Sequence, residues 1–521
     1  MRFLLTICIG LLFLTSCQSD ERYGSNQKAI NDAPIEEAAA PPTEAVALPS
    51  LEGGLIEFVL EMANQRRHNI EWPGTERLHE LTAGRMPMPE DFEMNRFWSA
   101  GLRLPDMVSR EDAIADAVDF FELLALLYGS YIYFGGDDVF LPTLDSIIAE
   151  LELKDEYLTN NRFAVILRSH LREIVQDNHF VVGGTQIGIR YDFFVMPDME
   201  IFERSENGFY NRKTGEYVRH VNVRDRLIDP DEVFRRSLSE TGEIYYSLVI
   251  EIPRGHVSET IAIIYDSYET EVDLRRFIPS QHSLVNTLLR HIDGIPIITI
   301  RTMGFPDSTQ GRGYQSARQF LSVAKELRDE PLIIVDVRAN GGGNGLLGPM
   351  WLHALTGTRI PDRNLRLRIG SYESEMENMK NLTEGMFYIS FENFLFYNSP
   401  TALDENHIIF GDLSQDIVQS DRIIILLVDR YSASAAEHLA NMLLSIENTL
   451  IVGQNTFGGM STDMTFPSLN LPRTGQTVGF GASRFIHPDN HLPEGIGLAP
   501  DLWVNGDALT AVLALLGQET N

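Results

Sequence analysis

Apolar residues recur at helical spacing in two stretches. After Ser109, with Ser109 and Asp112 as capping residues, Ile114, Ala117, Val118, Phe121, Leu124 and Ala125 form one stripe. Between 161 and 176, Phe163, Ile166, Leu167, Leu171, Ile174 and Val175 share one face of a second helix. That helix ends in Gln176-Asp177-Asn178-His179, followed by the short apolar run Phe180-Val181-Val182. Residues 183 to about 285 alternate strand-like runs, such as Tyr245 to Ile252 and Thr260 to Tyr265, with turns. They predict a small β-rich module. Beyond about 292 the pattern changes. Ile295 to Ile300, Pro331 to Val337 and Ile423 to Val428 are near-continuous apolar strands, and the last two each run into a turn and a helical pattern. Strand, turn and helix in that order predict an α/β core with a largely parallel sheet.

The remaining segments are less patterned. Residues 51 to 108 are mixed and partly helical, with no role assigned. Residues 18 to 50 carry Ala38-Ala39-Ala40-Pro41-Pro42 and scattered acids, which suits a flexible tether. The expected order is therefore a leader at 1–16, a linker at 17–50, an extension at 51–108, a helical subdomain at 109–182, a β-rich module at 183–290 and an α/β core at 291–521.

Composition narrows the partners. Of 521 residues, 44% are hydrophobic and 22% charged, an ordinary globular mixture. The net charge of −32 repels nucleic-acid phosphate, and no basic block interrupts it, so no nucleic-acid partner is expected. Both cysteines, Cys8 and Cys17, lie at the start. Arg2, the apolar run Phe3 to Leu14 and small residues before a cleavage point make up a secretory signal, too short for an ordinary transmembrane span. Leu14-Thr15-Ser16-Cys17 resembles the bacterial lipobox, which implies lipidation of Cys17 and export to the cell envelope. The alternative is a plain cleaved signal with a chance cysteine. Gln18 and the acidic Ser19-Asp20-Glu21 are compatible with the outer membrane.

Two turns are candidates for chemistry. The first is Asp336-Val337-Arg338-Ala339-Asn340-Gly341-Gly342-Gly343-Asn344-Gly345, where successive glycines let the backbone approach a ligand and aim N–H groups outward. Its G-x-G-x-x-G match at Gly343, Gly345 and Gly348 is weak, and a plain turn stiffened by an Asp336–Arg338 pair is the alternative. The second is Asp429-Arg430-Tyr431-Ser432-Ala433-Ser434-Ala435-Ala436-Glu437, leading into a helix through Leu439, Met442, Leu443 and Ile446. Ser434 and Glu437 form a capping box, which is one reading of the serine. The other is a hydroxyl at the positive end of a helix dipole, where developing anionic charge is favoured. The sequence has neither H-E-x-x-H, since His79-Glu80 lacks the second histidine, nor G-x-S-x-G around Ser434. No metal or cofactor is expected.

Taken together, the glycine turn, Ser432-Ala433-Ser434-Ala435-Ala436-Glu437, Ile451 to Gly459, Glu494-Gly495-Ile496-Gly497-Leu498-Ala499-Pro500-Asp501 and the helix ending in Asp177-Asn178-His179 resemble the C-terminal-processing and tricorn-core family of serine peptidases. The resemblance spans roughly 110 to 510. It implies a crotonase-like αββ organisation of the core. It also implies a PDZ-like identity for the 183–290 module by position, although no clear peptide-carboxylate loop is present. The family's nucleophile maps to Ser434, and its oxyanion-hole N–H groups map to Gly343, with Gly342 as neighbour, and Ala435.

The processing branch carries a lysine where this chain has Gly459. An unassisted serine hydroxyl is a poor nucleophile, so another base is required. The tricorn branch implies His179 as general base and Glu494 as the group orienting it. That branch places a serine before the histidine. Here Asn178 stands there, with Asp177 as an alternative relay. The implied activity is peptide-bond hydrolysis on peptides or unfolded proteins. A catalytically inactive binding protein of the same fold and an esterase or amidase using the same triad are the alternatives.

Overall fold

The three apolar runs are neighbours near one edge of the largest sheet. In the computed structural model, Ile295–Ile300, Leu332–Asp336, Ile423–Val428 and Thr449–Gly453 lie side by side in parallel. Every residue of Leu332–Asp336 and Ile423–Val428 is buried, and the alternation of a strand assigns them to two separate cores. Ile333, Val335, Ile424, Leu426 and Val428 face Trp351, Leu439 and Leu443. Leu332, Ile334, Ile423, Ile425 and Leu427 face Ile56 and Val59 of the helix Leu55–His68 and Val512 of the helix Ala508–Gln518. The described residues are 54–68, 94–97, 104–196, 201–256, 258–279, 287–304, 312–362, 364–369, 395–397, 400–404, 407–411, 416–487 and 493–518, with the isolated positions 78, 80, 81, 376 and 380. The leader, Cys17, the tether and most of the 51–108 extension lie outside them.

The expectation of a largely parallel sheet is overturned. Among the described residues the main sheet has 15 strands. Five of its pairings are parallel. Nine are antiparallel. The parallel run ends where Leu502–Trp503 meets Phe234–Leu238. From there Ile244–Pro253, Tyr191–Val195, Glu269–Arg276, Ser258–Tyr265 and Val218–Val223 continue the same sheet antiparallel. At the other edge Thr287–Ile292 and Ile295–Ile300 form a hairpin. The fold is a mixed α/β arrangement of several sheets, because the β-rich stretch does not close on itself but adds its strands to the edge of the core.

The helices Arg110–Leu127, Asp137–Glu152 and Asn160–Ile174 pack against a four-stranded sheet of Phe466–Asn470, Thr477–Phe480, Val181–Val182 and Thr185–Gln186. Ser109 caps the first, accepting the Asp112 N–H at 3.0 Å. Its buried face is broader than the apolar stripe and rotated from it. Val118 stays 43% exposed, whereas Asp116 is fully buried. Asp116 accepts both the backbone N–H and the hydroxyl of Thr474 at 2.7 Å, which binds the helix to the 472–476 turn. Phe163, Ile166, Leu167, Leu171 and Val175 are buried as their spacing predicts. This packing carries the chain just after Val175 into the core.

Candidate active site

The Ile423–Val428 strand is buried throughout, so the chain leaves the core abruptly at Asp429. The Asp429 carboxylate accepts the backbone N–H groups of Tyr431 (2.9 Å) and Ser432 (3.0 Å), shaping a tight turn. It also accepts the Ala339 N–H at 3.0 Å, from the glycine turn. Ser432 Oγ donates to the Val337 carbonyl at 2.9 Å, and the Ala433 N–H donates to the Asn340 carbonyl at 2.9 Å. The two candidate turns are therefore clasped together before Ser434 is reached. In the glycine turn the Asp336–Arg338 pair forms through two bonds of 2.8 Å, with Arg301 as a second cation on Asp336. These guanidinium bonds overcome the burial penalty and hold the Asp336 carboxyl well below the usual carboxylate range.

Ser434 has φ +52° and ψ −115° and opens the helix Ala435–Leu443. Its backbone N–H donates to Glu437 Oε2 at 2.9 Å. The capping box with Glu437 is in place, and Ser434 also lines a cavity of about 410 Å³. Gly342 lies against it. A Cβ there would meet Ser434 Cβ and the Ala433 carbonyl oxygen at 2.7 Å, so only glycine lets the turns touch. The Gly342 N–H donates to Asn340 Oδ1 at 2.9 Å, and the Asn344 N–H donates to the Met303 carbonyl at 2.9 Å. Among the described residues, the Gly343 and Ala435 N–H groups have no acceptor. Ala435 N–H also stands at the positive end of its helix.

His179 lines the same cavity, together with Asn178, Gln186, Tyr431, Phe457 and Gly459. Its backbone is held by two carboxylates. Buried Asp177 accepts the His179 N–H and the Thr462 hydroxyl on one oxygen, and the Tyr128 hydroxyl on the other, each at 2.8 Å. Burial and the Asp177 charge raise the Tyr128 phenol well above its ordinary value. Glu494 accepts the Asn178 N–H at 2.7 Å and both the N–H and hydroxyl of Ser461. Burial first, and then the charge of Asp177, push the Glu494 carboxyl up to about 8. The Asn178 amide donates to the Gly458 carbonyl at 3.0 Å and the Ile189 carbonyl at 3.4 Å.

Ser434, His179 and Asn178 thus share one cavity. Glu494 lies behind it, bonded to the backbone beside His179 and not to the ring. Among the described residues, His179 Nδ1 is buried without a hydrogen-bond partner, and no hydrogen bond joins the imidazole to the Ser434 hydroxyl. No group of three or more His, Cys, Asp or Glu in the described residues is placed to hold a metal ion. No helix among them is long and apolar enough to cross a membrane.

Residues 294–504 match the sequence profile of peptidase family S41. No curated protein matches. Among solved structures, mature CPAF is similar at 14% identity and a TM-score of 0.40, over 79% of this chain and 99% of that one. The tricorn protease is similar at 13% and 0.36, over 79% of this chain and 37% of that one. A lipoprotein from Streptococcus agalactiae is similar at 13% and 0.36, over 81% and 100%.

One residue of this site exceeds the role its spacing suggests. Glu437 reads as a helix cap, yet it is fully buried and takes four bonds: from the Ser434 N–H, the Gly459 N–H (both 2.9 Å), the Gly458 N–H and the Thr456 hydroxyl (both 2.7 Å). It fastens the Ser434 turn to the 456–459 loop. Ser461, bonded to Glu494, carries no local signal that would single it out.

Proposed function

We propose that the chain is a serine peptidase of the tricorn type, hydrolysing peptide bonds through an acyl-enzyme on Ser434. The observation that carries this reading is the meeting of Ser434 and His179 in one cavity, beside two N–H groups that no residue described here engages. Ser434 Oγ attacks the carbonyl carbon as His179 removes its proton. The carbonyl oxygen becomes an oxyanion and takes hydrogen bonds from the Gly343 and Ala435 N–H groups. Collapse breaks the C–N bond, and His179 returns the proton to the leaving amine. Water then attacks the acyl-enzyme by the same route. Gly342 shapes the turn and is not a donor, since its N–H is already engaged. Glu494, with Asp177, positions the peptide that carries the imidazole. Gly459 stands where the processing branch has its lysine, so no second base competes with His179.

The leader and Cys17 place the enzyme at the cell envelope, lipid-anchored through Cys17, with 17–50 as tether and the outer membrane as the favoured site. The helical segment 109–182 supplies the base, the 183–290 module borders the substrate path and 291–521 supplies the nucleophile.

The test is cleavage of an unfolded protein by wild type, Ser434→Ala, His179→Ala and Glu494→Gln, with folding checked by circular dichroism. Loss of roughly 10³-fold or more is expected for the serine and histidine variants, and a smaller loss for the glutamate variant. Cleavage surviving Ser434→Ala removes the nucleophile. Hydrolysis of esters without peptides makes it an esterase. Inactivity of wild type on both makes it a binding protein.

A further inference from the structure

Arg190 sits beside the cavity in an unusual electrostatic position. Its guanidinium lies 4.6 Å from the centroid of the Phe457 ring and donates to Gln186 Oε1. Phe457 and Gln186 both line the Ser434 cavity. Stacking uses the flat face of a guanidinium and leaves its edge free, and the edge carries five N–H donors. Only one hydrogen bond from that edge is present among the described residues.

The neighbouring cations are already served. Arg254 and Arg276 share Asp192 at 3.6 and 3.5 Å. Arg430 donates to the carbonyls of Ile496, Gly495 and Tyr191 at 2.6, 2.9 and 3.1 Å, and also to that of Thr456. No described carboxylate lies within ion-pair distance of Arg190, in a chain where Asp and Glu number 74 against 42 Lys and Arg. Acids are abundant enough that a half-buried arginine without one is not explained by scarcity. Burial, and then the charge of Arg254, hold the Arg190 guanidinium below its ordinary pKa, as expected for a cation lacking its counter-charge.

We propose that Arg190 selects the substrate by pairing with a carboxylate of the peptide, from either a chain terminus or an Asp or Glu side chain, in the cavity that Ser434 lines. The proposal rests on the peptidase reading for its substrate but not for its measurement. A planar fork next to a ring is suited to a two-oxygen anion. The cation would also offset the repulsion that a strongly acidic enzyme exerts on an acidic peptide.

The test is binding, read by fluorescence anisotropy on the purified protein carrying Ser434→Ala, which removes turnover. Three labelled peptides share one neutral sequence: one amidated at its end, one with a free terminal carboxylate, and one amidated with a single internal glutamate. At least one carboxylate peptide is expected to bind roughly tenfold or more tightly than the neutral one. Which one does so identifies the source of the carboxylate. Adding Arg190→Gln is expected to abolish the preference, and adding Arg190→Lys, which keeps the charge and loses the fork, to reduce it. Equal affinity for all three peptides, or a preference that survives Arg190→Gln, overturns the proposal. Wild-type cleavage is scored separately. Selective binding without hydrolysis removes the peptidase reading and keeps the Arg190 site, and hydrolysis without selective binding does the reverse.

Discussion

Ser434 holds φ at +52°, a value L side chains rarely adopt. The strain is maintained by its surroundings: Glu437 on its N–H, Gly342 against its Cβ and the Asp429 turn before it. A backbone outlier of this kind costs about 1–3 kcal/mol, while glycine loses about 1 kcal/mol of extra chain entropy on folding. Ser434→Gly is therefore expected to raise stability by about 1 kcal/mol in urea unfolding while cleavage is lost. Glu494 makes a second prediction at this scale. Its carboxyl titrates near 8 in the folded chain against an ordinary 4.5, so the folded state holds a proton that the unfolded chain has released. The stability it contributes is whole below pH 4.5 and is lost as pH rises through about 8. Glutamine does not titrate. Urea unfolding across this window should therefore show wild type losing stability relative to Glu494→Gln as pH rises, and parallel curves would place the proton elsewhere.

At the scale of elements, the site is four segments joined by three buried carboxylates. Asp429 joins the serine turn to the glycine turn, Asp177 joins the histidine segment to Thr462, and Glu437 joins the serine turn to the 456–459 loop. Glu437→Gln replaces a four-acceptor carboxylate with an amide whose NH₂ faces other donors. Bonds to a charged group contribute about 1.5–3 kcal/mol each, and a lost partner leaves a buried N–H unsatisfied. A loss of about 3 kcal/mol or more is expected in urea unfolding, with a fall in kcat for peptide cleavage. Part of this arrangement is legible in the chain. Leu332–Asp336 and Ile423–Val428 are readable because a fully buried strand needs an unbroken apolar run, and the turns after them because Gly and Ser-x-x-Glu report local backbone geometry. Of Glu437's four bonds only the one to Ser434 is local, so spacing reveals a cap and conceals the fastener. Val118 is misjudged for a related reason. A stripe presumes one neighbour, whereas Arg110–Leu127 is packed from more than one side and buries Asp116 as well.

For the whole molecule, the direction of the main sheet is the feature that local pattern hides. A strand's own sequence reports its burial, not the orientation of a neighbour far along the chain, so the antiparallel extension is visible only in three dimensions. The junction has consequences for stability. Ser237 pairs with Trp503 across it, and Trp503, 1% exposed, packs against Phe193 at 5.3 Å and Phe277 at 5.9 Å. Arg430 crosses the same seam, stacking on Phe193 at 4.7 Å while bonded to carbonyls on both sides. Burial pushes its guanidinium pKa down to about 10, yet the carbonyls meet its donors. A loose attachment would open separately, whereas a continuous sheet sealed by an aromatic cluster unfolds with the core. Trp503→Ala is expected to cost about 3–5 kcal/mol. Hydrogen exchange separates the two cases. If the seam joins one cooperative unit, amides of Phe234–Leu238 and Tyr191–Val195 exchange with the same free energy as those of Leu332–Asp336, and the substitution lowers all three together. If protection falls in the first two strands alone, the β-rich stretch is an independent unit that rests on the core, and the cavity wall supplied by Gln186 belongs to the hinge between them.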